Sequence, residues 1–314
     1  MSSISVPPVK IMRYDEAFFS IDTNNIPASL DKLRKQFGPF SDGFVNNVVC
    51  SDAHDSISCD MAIRDFILSY DMRSAWKDSK NILGDQSALE AQITDAYRHF
   101  RYHFPKRDLP KAVYIDFTGF NYNILNIEGV YGIGLEFYLG KDNVIYDGLS
   151  DHFPGYIRRN CTKEYAVANF VRGWMMNEFP YDPPKNDLIN KMVWEGKMMY
   201  LMKALLRNTP DSIITGYTAK QLSWCADNEA KMWATLIENK KVYSDNDEDL
   251  QHFTENGPFT PDFPRDSPGE AGNWLGLRIV EAYMARNPNV SLQQLMDQKD
   301  GSFILTRAKY KPKF

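Results

Sequence analysis

The sequence predicts an α+β chain, mostly helical with one small β-sheet, and three observations predict it. Apolar residues recur at three- and four-residue spacing along most of the chain, Ser or Thr capping boxes mark helix starts, and strict alternation is confined to the region after Asp108. No interior linker or repeat divides the 314 residues. The expected organisation is therefore a single domain over 1–314, with a helical part over about 1–108, a sheet over about 109–150 and a second helical part over about 157–296.

After an extended lead-in ending at YDEAFFSID, Leu30 to Phe37 and Cys59 to Trp76 read as helices, the second through Ile63, Phe66, Ile67 and Tyr70. Ser87-Ala88-Leu89-Glu90 has the form of a capping box and predicts a helix from about Ala88 to Phe104, stopped before Pro105. Lys111 to Phe117 alternates, with Val113, Ile115 and Phe117 on one face and Tyr114 and Asp116 on the other, and Ile133 to Leu139 is expected to be a second strand. Gly129, Gly132 and Gly134 do not read as a phosphate loop, because no helix pattern begins behind them to offer aligned N–H groups.

From Ile157 onward the pattern is helical again. Cys161, Tyr165, Ala168, Val171, Met175 and Phe179 step along one face until PYDPP ends the helix, and the next helix spans about Leu188 to Leu206. Thr218 and Gln221 form a capping box for a helix to about Asn239, after which the acidic SDNDEDL reads as a solvated charge run opening a long loop. Ser267-Pro268-Gly269-Glu270 predicts a helix beginning there and running to Arg286, closed by Asn287 and Pro288. Gly272 and Gly276, one turn apart, allow another element to approach that helix closely, and Ser291 with Gln294 caps a last short helix.

Composition narrows the function. The formal charge of −5 excludes polyanion binding by bulk charge, so nucleic acid is not an expected partner. No stretch approaches the ~18 to 20 consecutive apolar residues of a membrane span. Cys50, Cys59, Cys161 and Cys225 contain no CxxC; four reduced, partly buried thiols are the expectation, and a Cys50–Cys59 bridge, close enough to form in an oxidising compartment, is the alternative. MSSISVPPV is a short polar lead-in without a secretory signal, and it leaves the compartment open.

Catalytic motifs are missing. There is no GxSxG and no GxxxxGK[ST], and no histidine lies between His152 and His252. His99 and His103 are an i, i+4 pair, but the intervening Phe100, Arg101 and Tyr102 supply no general base, and Arg98 and Arg101 bring positive charge to where a cation would bind. Glu195 shares the apolar stripe of Leu188, Met192 and Met199, so it needs a partner, for which Lys191, Arg172 and Arg278 are the candidates. Trp174, Trp194, Trp224, Trp233 and Trp274 fall on helices, where core packing competes with a place at a carbohydrate- or peptide-binding cleft.

Longer strings carry a resemblance. YDEAFF, YIDFTGFNYN, IGLEFYLG and YIRRN, followed by LINKMVWEGKMMYLMKALL, PDSIITGYTAKQLSWCADNEAKMWATLIE and DSPGEAGNWLGLRIVEAYMARNPNVSLQQLM, resemble the GldB-like gliding-motility-associated lipoproteins from about Val6 to Met296. The resemblance implies an exported lipoprotein of a Bacteroidota-type cell envelope, periplasm-facing and anchored through a lipidated Cys upstream of this sequence, with no firmly assigned activity. A weaker likeness is to the zincin-type metallopeptidase fold. Glu195 in WEGK matches that fold's later Glu ligand, but the preceding KEYAVANFVRGWMMN carries no His, so two of three protein ligands are missing.

The expectation is a non-catalytic envelope lipoprotein with a zincin-like core that binds or scaffolds envelope proteins. No cofactor, metal ligand or catalytic residue is assigned, and Glu195, Arg172, Trp174, Trp274 and Arg278 form a candidate degenerate cleft. The alternatives are a zinc metallopeptidase with an unrecognised ligand set, such as His99, His103 or His152 near Glu195, and a glycan- or peptide-binding module using the old cleft.

Overall fold

A computed structural model describes residues 4–80, 82 and 84–313. In its first half, β1 (Ile11–Arg13) leads into α1 (Tyr14–Phe19), α2 (Ile26–Phe37) and α3 (Pro39–Phe44), then a π-helical turn at Val45–Val49, α4 (Ser56–Leu68), α5 (Tyr70–Lys80) and α6 (Ser87–His103). Strands β2 (Ala112–Asp116), β3 (Ile124–Ile127) and β4 (Val130–Gly134) follow, then 3-10 turns at Leu135–Tyr138 and Val144–Leu149, α7 (Gly155–Arg158) and α8 (Ala166–Glu178). The rest is helical: α9 (Leu188–Leu205), α10 (Asp211–Thr215), α11 (Ala219–Glu238), α12 (Asp247–Thr254), α13 (Ala271–Arg286), α14 (Leu292–Asp297) and α15 (Gly301–Ala308). The architecture is mostly helical with one small sheet, as expected.

Contacts sort these elements into two compact units. The sheet unit comprises Ser5–Thr94 and Asp108–Trp174, and the helical unit comprises Asp95–Arg107 and the chain from Met175 onward. In the sheet unit the strand order is β1-β2-β4-β3, with β1, β2 and β4 parallel and β3 antiparallel to β4. Glu128 and Gly129, both at positive φ, make the tight β3–β4 turn. The core of this unit is aromatic. Tyr14 packs against Phe37, Phe40 and Phe44 at ring distances of 5.0, 5.1 and 4.9 Å, and Phe40 continues to Tyr114 of β2 at 5.0 Å. Contrary to the expectation of reduced thiols, Cys50 and Cys59 are disulfide-bonded, with Cα atoms 5.1 Å apart, tying the end of the π-helical turn to α4.

In the helical unit, α9 is buried on nearly all sides, so it carries no polar stripe. It packs against α10, α12, α13, α14 and α15. It meets α13 at two glycines: a Cβ on Gly276 would lie 1.7 Å from the Met192 carbonyl oxygen, and one on Gly196 would lie 2.2 Å from the Gly276 carbonyl carbon. The expected close approach to α13 is thus made by α9. Polar groups along α9 are satisfied locally: Asn190 Oδ1 accepts from Gly301 N–H at 2.7 Å, and Trp194 Nε1 donates to the Phe179 carbonyl at 3.0 Å.

Several local expectations are corrected. Ser87 does not cap α6; its hydroxyl donates to Asp85 at 2.7 Å, and Glu90 accepts from the Ile11 N–H at 3.0 Å instead of turning back on its own helix. Ser267 does not start α13 either, because its Oγ accepts from Thr260 N–H at 3.2 Å and the helix begins only after Glu270, at φ 51°. The Thr218/Gln221 and Ser291/Gln294 boxes form as expected. The second strand is Val130–Gly134, and most of the expected Ile133–Leu139 run is a 3-10 turn. YDEAFF is helix, Cys59 to Trp76 is broken at Ser69, and the acidic run opens α12 under an Asn246 cap.

Candidate functional site

The expected cleft residues divide between the units. Arg172 and Trp174 belong to the sheet unit, where Trp174 is 1% exposed and its ring lies 6.3 Å from Phe170. Glu195, Trp274 and Arg278 belong to the helical unit, with Glu195 at 5% and Trp274 at 7% exposure. Arg278 stacks 5.7 Å over Trp274, donates to Glu229 at 3.2 Å and pairs with Glu281. Lys191 lies over Tyr181 and Trp194, at 4.9 and 5.2 Å. Neither Trp174 nor Trp274 offers an open indole face on which a sugar ring could stack.

The histidine pair is also built into the helical unit. His99 Nδ1 is 2.8 Å from the Leu205 carbonyl, while His103 lines a groove of about 530 Å³ with Tyr102, Tyr200, Lys203, Arg207 and Leu292. Burial, with Arg207 and His99 nearby, pushes the His103 imidazole below its ordinary range. Among the described residues, no group of three or more His, Cys, Asp or Glu side chains is placed to hold a metal ion. The ligand set that the metallopeptidase alternative needs is not assembled among them.

The most unusual chemistry lies where the sequence reading did not place it, beyond the carboxyl ends of the parallel strands, which is where open α/β sheets place their ligands. β1 ends at Arg13 and runs into Asp15, β2 ends at Asp116, and β4 runs through Gly134 to Glu136. All three acids are buried, Asp116 and Glu136 at 0% exposure. Arg13 grips Asp15 through two bonds of 2.7 and 2.6 Å, and Trp76 Nε1 donates to the same carboxylate at 2.8 Å. Glu136 Oε1 accepts from Thr118 N–H at 2.6 Å, Thr118 Oγ1 at 2.7 Å and Phe120 N–H at 3.1 Å. Burial pushes the Glu136 carboxyl up to about 7, against those hydrogen bonds. Burial, then the neighbouring Glu136 and Asp15, push Asp116 well above the ordinary carboxyl range.

Gly132 makes room for this arrangement. A Cβ there would lie 1.9 Å from Asp116 Oδ2 and 3.0 Å from the Phe40 ring. The signal in the sequence was an acid at the end of each strand run beside glycine, in IDFTG and GIGLEF. Alternation disguised it, since Asp116 falls on the face that a half-exposed strand would turn to water. The three acids are closed off from solvent, so the cluster has no surface for a substrate to touch.

A family model described as Gliding motility protein GldB matches residues 1–312. No curated protein and no solved structure matches the chain. The zincin-type core is therefore not established by any solved relative.

Proposed function

Because the chain belongs to the gliding motility protein GldB family, we propose that it is a non-catalytic lipoprotein of the cell envelope, lipid-anchored and periplasm-facing, that binds or scaffolds a protein of the gliding and secretion machinery. The family match along 1–312 carries this reading. Three features support it. The Cys50–Cys59 bridge suits an oxidising compartment. Among the described residues, no helix is long and apolar enough to cross a membrane, which suits attachment through a lipid. The acids Asp116 and Glu136, both pushed above the ordinary carboxyl range by burial, are sealed from any substrate.

The test is made in the bacterium that produces the protein. Metabolic labelling with a fatty acid and cross-linking in intact cells are expected to show a lipidated chain joined to envelope proteins. One retained zinc per chain, with chelator-sensitive cleavage of casein by the purified protein, overturns the non-catalytic reading. A peptide or glycan ligand is the second reading. It is favoured by the groove at Tyr102, Tyr200 and Arg207, which offers aromatic rings beside a cation. Binding of peptidoglycan fragments that is lost in Tyr102→Ala would support it.

A further inference from the structure

Three buried side-chain oxygens at one place lack a hydrogen-bond donor from another residue: Asp116 Oδ1, Asp116 Oδ2 and Glu136 Oε2. The other oxygen of Glu136 is in the opposite condition, with three donors from Thr118 and Phe120. Donors gathered on one oxygen favour the ionised form, and the backbone is bent to supply them, with Gly119 and Phe120 at φ of 70° and 69°. That conformation is strained for an aromatic residue. Those hydrogen bonds offset part of the burial that raises Glu136. Asp116, by contrast, has no donor to either oxygen, and a carboxylate there would be a buried unpaired charge.

The groups facing the pair do not change that count. From β1, Arg13 is committed to Asp15, and from α1, Asp15 is already held by Arg13 and Trp76. Tyr14 of α1 lies with its hydroxyl 3.4 Å from Ser41 Oγ, and burial raises it. Tyr138 donates to Asn123 at 2.5 Å and accepts from Asn169 at 3.3 Å, while Tyr146 donates to the backbone carbonyl of Glu136 at 2.8 Å. A neutral carboxyl supplies one O–H donor and keeps acceptor capacity, and its strongest acceptor is a carboxylate.

We infer that Asp116, fully buried with no donor to either carboxyl oxygen, carries a proton in the folded chain, making the end of the sheet a proton-binding site on which the fold of this unit depends. A metal cation is the competing occupant. The geometry favours the proton, because Asp116 Oδ2 and the Phe40 ring crowd the space above Gly132, and no third ligand completes a metal site among the described residues. Loss of the proton leaves Asp116 a buried carboxylate with no donor, which the fold of this unit cannot compensate without admitting water or moving backbone.

Two measurements on the whole chain test this, whatever partner the protein binds. Infrared spectra of the folded protein at neutral pH are expected to show the carbonyl stretch of a protonated carboxylic acid, absent from Asp116→Asn and retained in the surface control Asp42→Asn. Calorimetric unfolding at pH 7 in buffers of different ionisation enthalpy is expected to release about one proton per chain more from wild type than from Asp116→Asn. Folded wild-type protein with no protonated carboxyl at neutral pH overturns the inference, as does a band abolished by added calcium, magnesium or zinc. The infrared readout is available on the wild type, so the outcome stands even if Asp116→Asn fails to fold.

Discussion

Replacing Gly276 with alanine would put a Cβ 1.7 Å from the Met192 carbonyl oxygen and 2.4 Å from its carbon. Ordinary contact needs roughly 3.5 Å, and the obstacle is helix backbone, which cannot swing aside as a side chain does. The α9 and α13 axes must therefore part by well over ~1 Å, opening gaps in a close-packed core. Overpacking of this kind costs about 1 to 3 kcal/mol and more when backbone must move, while alanine returns about 1 kcal/mol of helix propensity. The net expectation is a loss of at least about 2 kcal/mol, because α9 is buried on nearly all sides and every neighbour shares the displacement. Urea denaturation of the full chain, followed by circular dichroism, measures it. Gly148→Ala is the control, since a Cβ there meets nothing within 4 Å. A Gly276→Ala midpoint equal to wild type, or equal damage from both variants, would refute the close crossing.

Other expectations can be checked with the same denaturation assay. Reducing Cys50–Cys59, which closes a loop of nine-residue separation, should lower stability by up to about 3 kcal/mol through loop entropy; no change in midpoint under dithiothreitol would argue against the bridge. Lys197 donates to the Gln298 carbonyl at 2.7 Å, and burial, with Lys299 nearby, pushes it down to about 8 from the ordinary 10.5. The unfolded chain binds that proton more tightly, so this contribution to stability is fully present above pH 10.5 and is lost as pH falls through about 8. It is worth on the order of 3 kcal/mol across that window. Lys197→Met should therefore be at least as stable as wild type at pH 7 and lack this part of the alkaline rise; a parallel pH profile would count against it. Thr218→Ala removes the side-chain oxygen that accepts from Gln221 N–H at 3.2 Å and should cost about 1 kcal/mol, whereas an unchanged midpoint would mean that the cap carries no weight.

Local patterns were legible in the sequence wherever a short stretch satisfies itself. Thr218 with Gln221 and Ser291 with Gln294 need only their own helix, and PYDPP stops α8 by proline chemistry alone. The same box motif failed at Ser267 and Ser87, where distant or preceding groups claim the side chain: Thr260 N–H donates to Ser267 Oγ, and Asp85 accepts from Ser87. Strand boundaries were blurred because the run from Ile133 to Leu139 stays apolar across the change from strand to 3-10 turn. Glu195 was legible as lying off the solvated face, since it shares the apolar stripe of its helix, and it is buried. Asp116 was passed over because period-two alternation assumes one face in water, whereas parallel strands are covered on both faces. Its burial depends on the space that Gly132 leaves on the neighbouring strand, and spacing along one strand does not encode that.

The outer edge of the sheet has a consequence for docking. The Val9 N–H is taken by Thr94 Oγ1 at 2.9 Å and the Ile11 N–H by Glu90 at 3.0 Å, so side chains from α6 occupy backbone donors that an added strand would need. Pro7 and Pro8 remove two further donors just upstream. β1 is therefore shielded against recruiting a foreign strand, as natural sheets shield edges prone to aggregation. That leaves four-residue β3 as the sheet's other edge. A strand added to this sheet would therefore have to pair along β3 and not along β1.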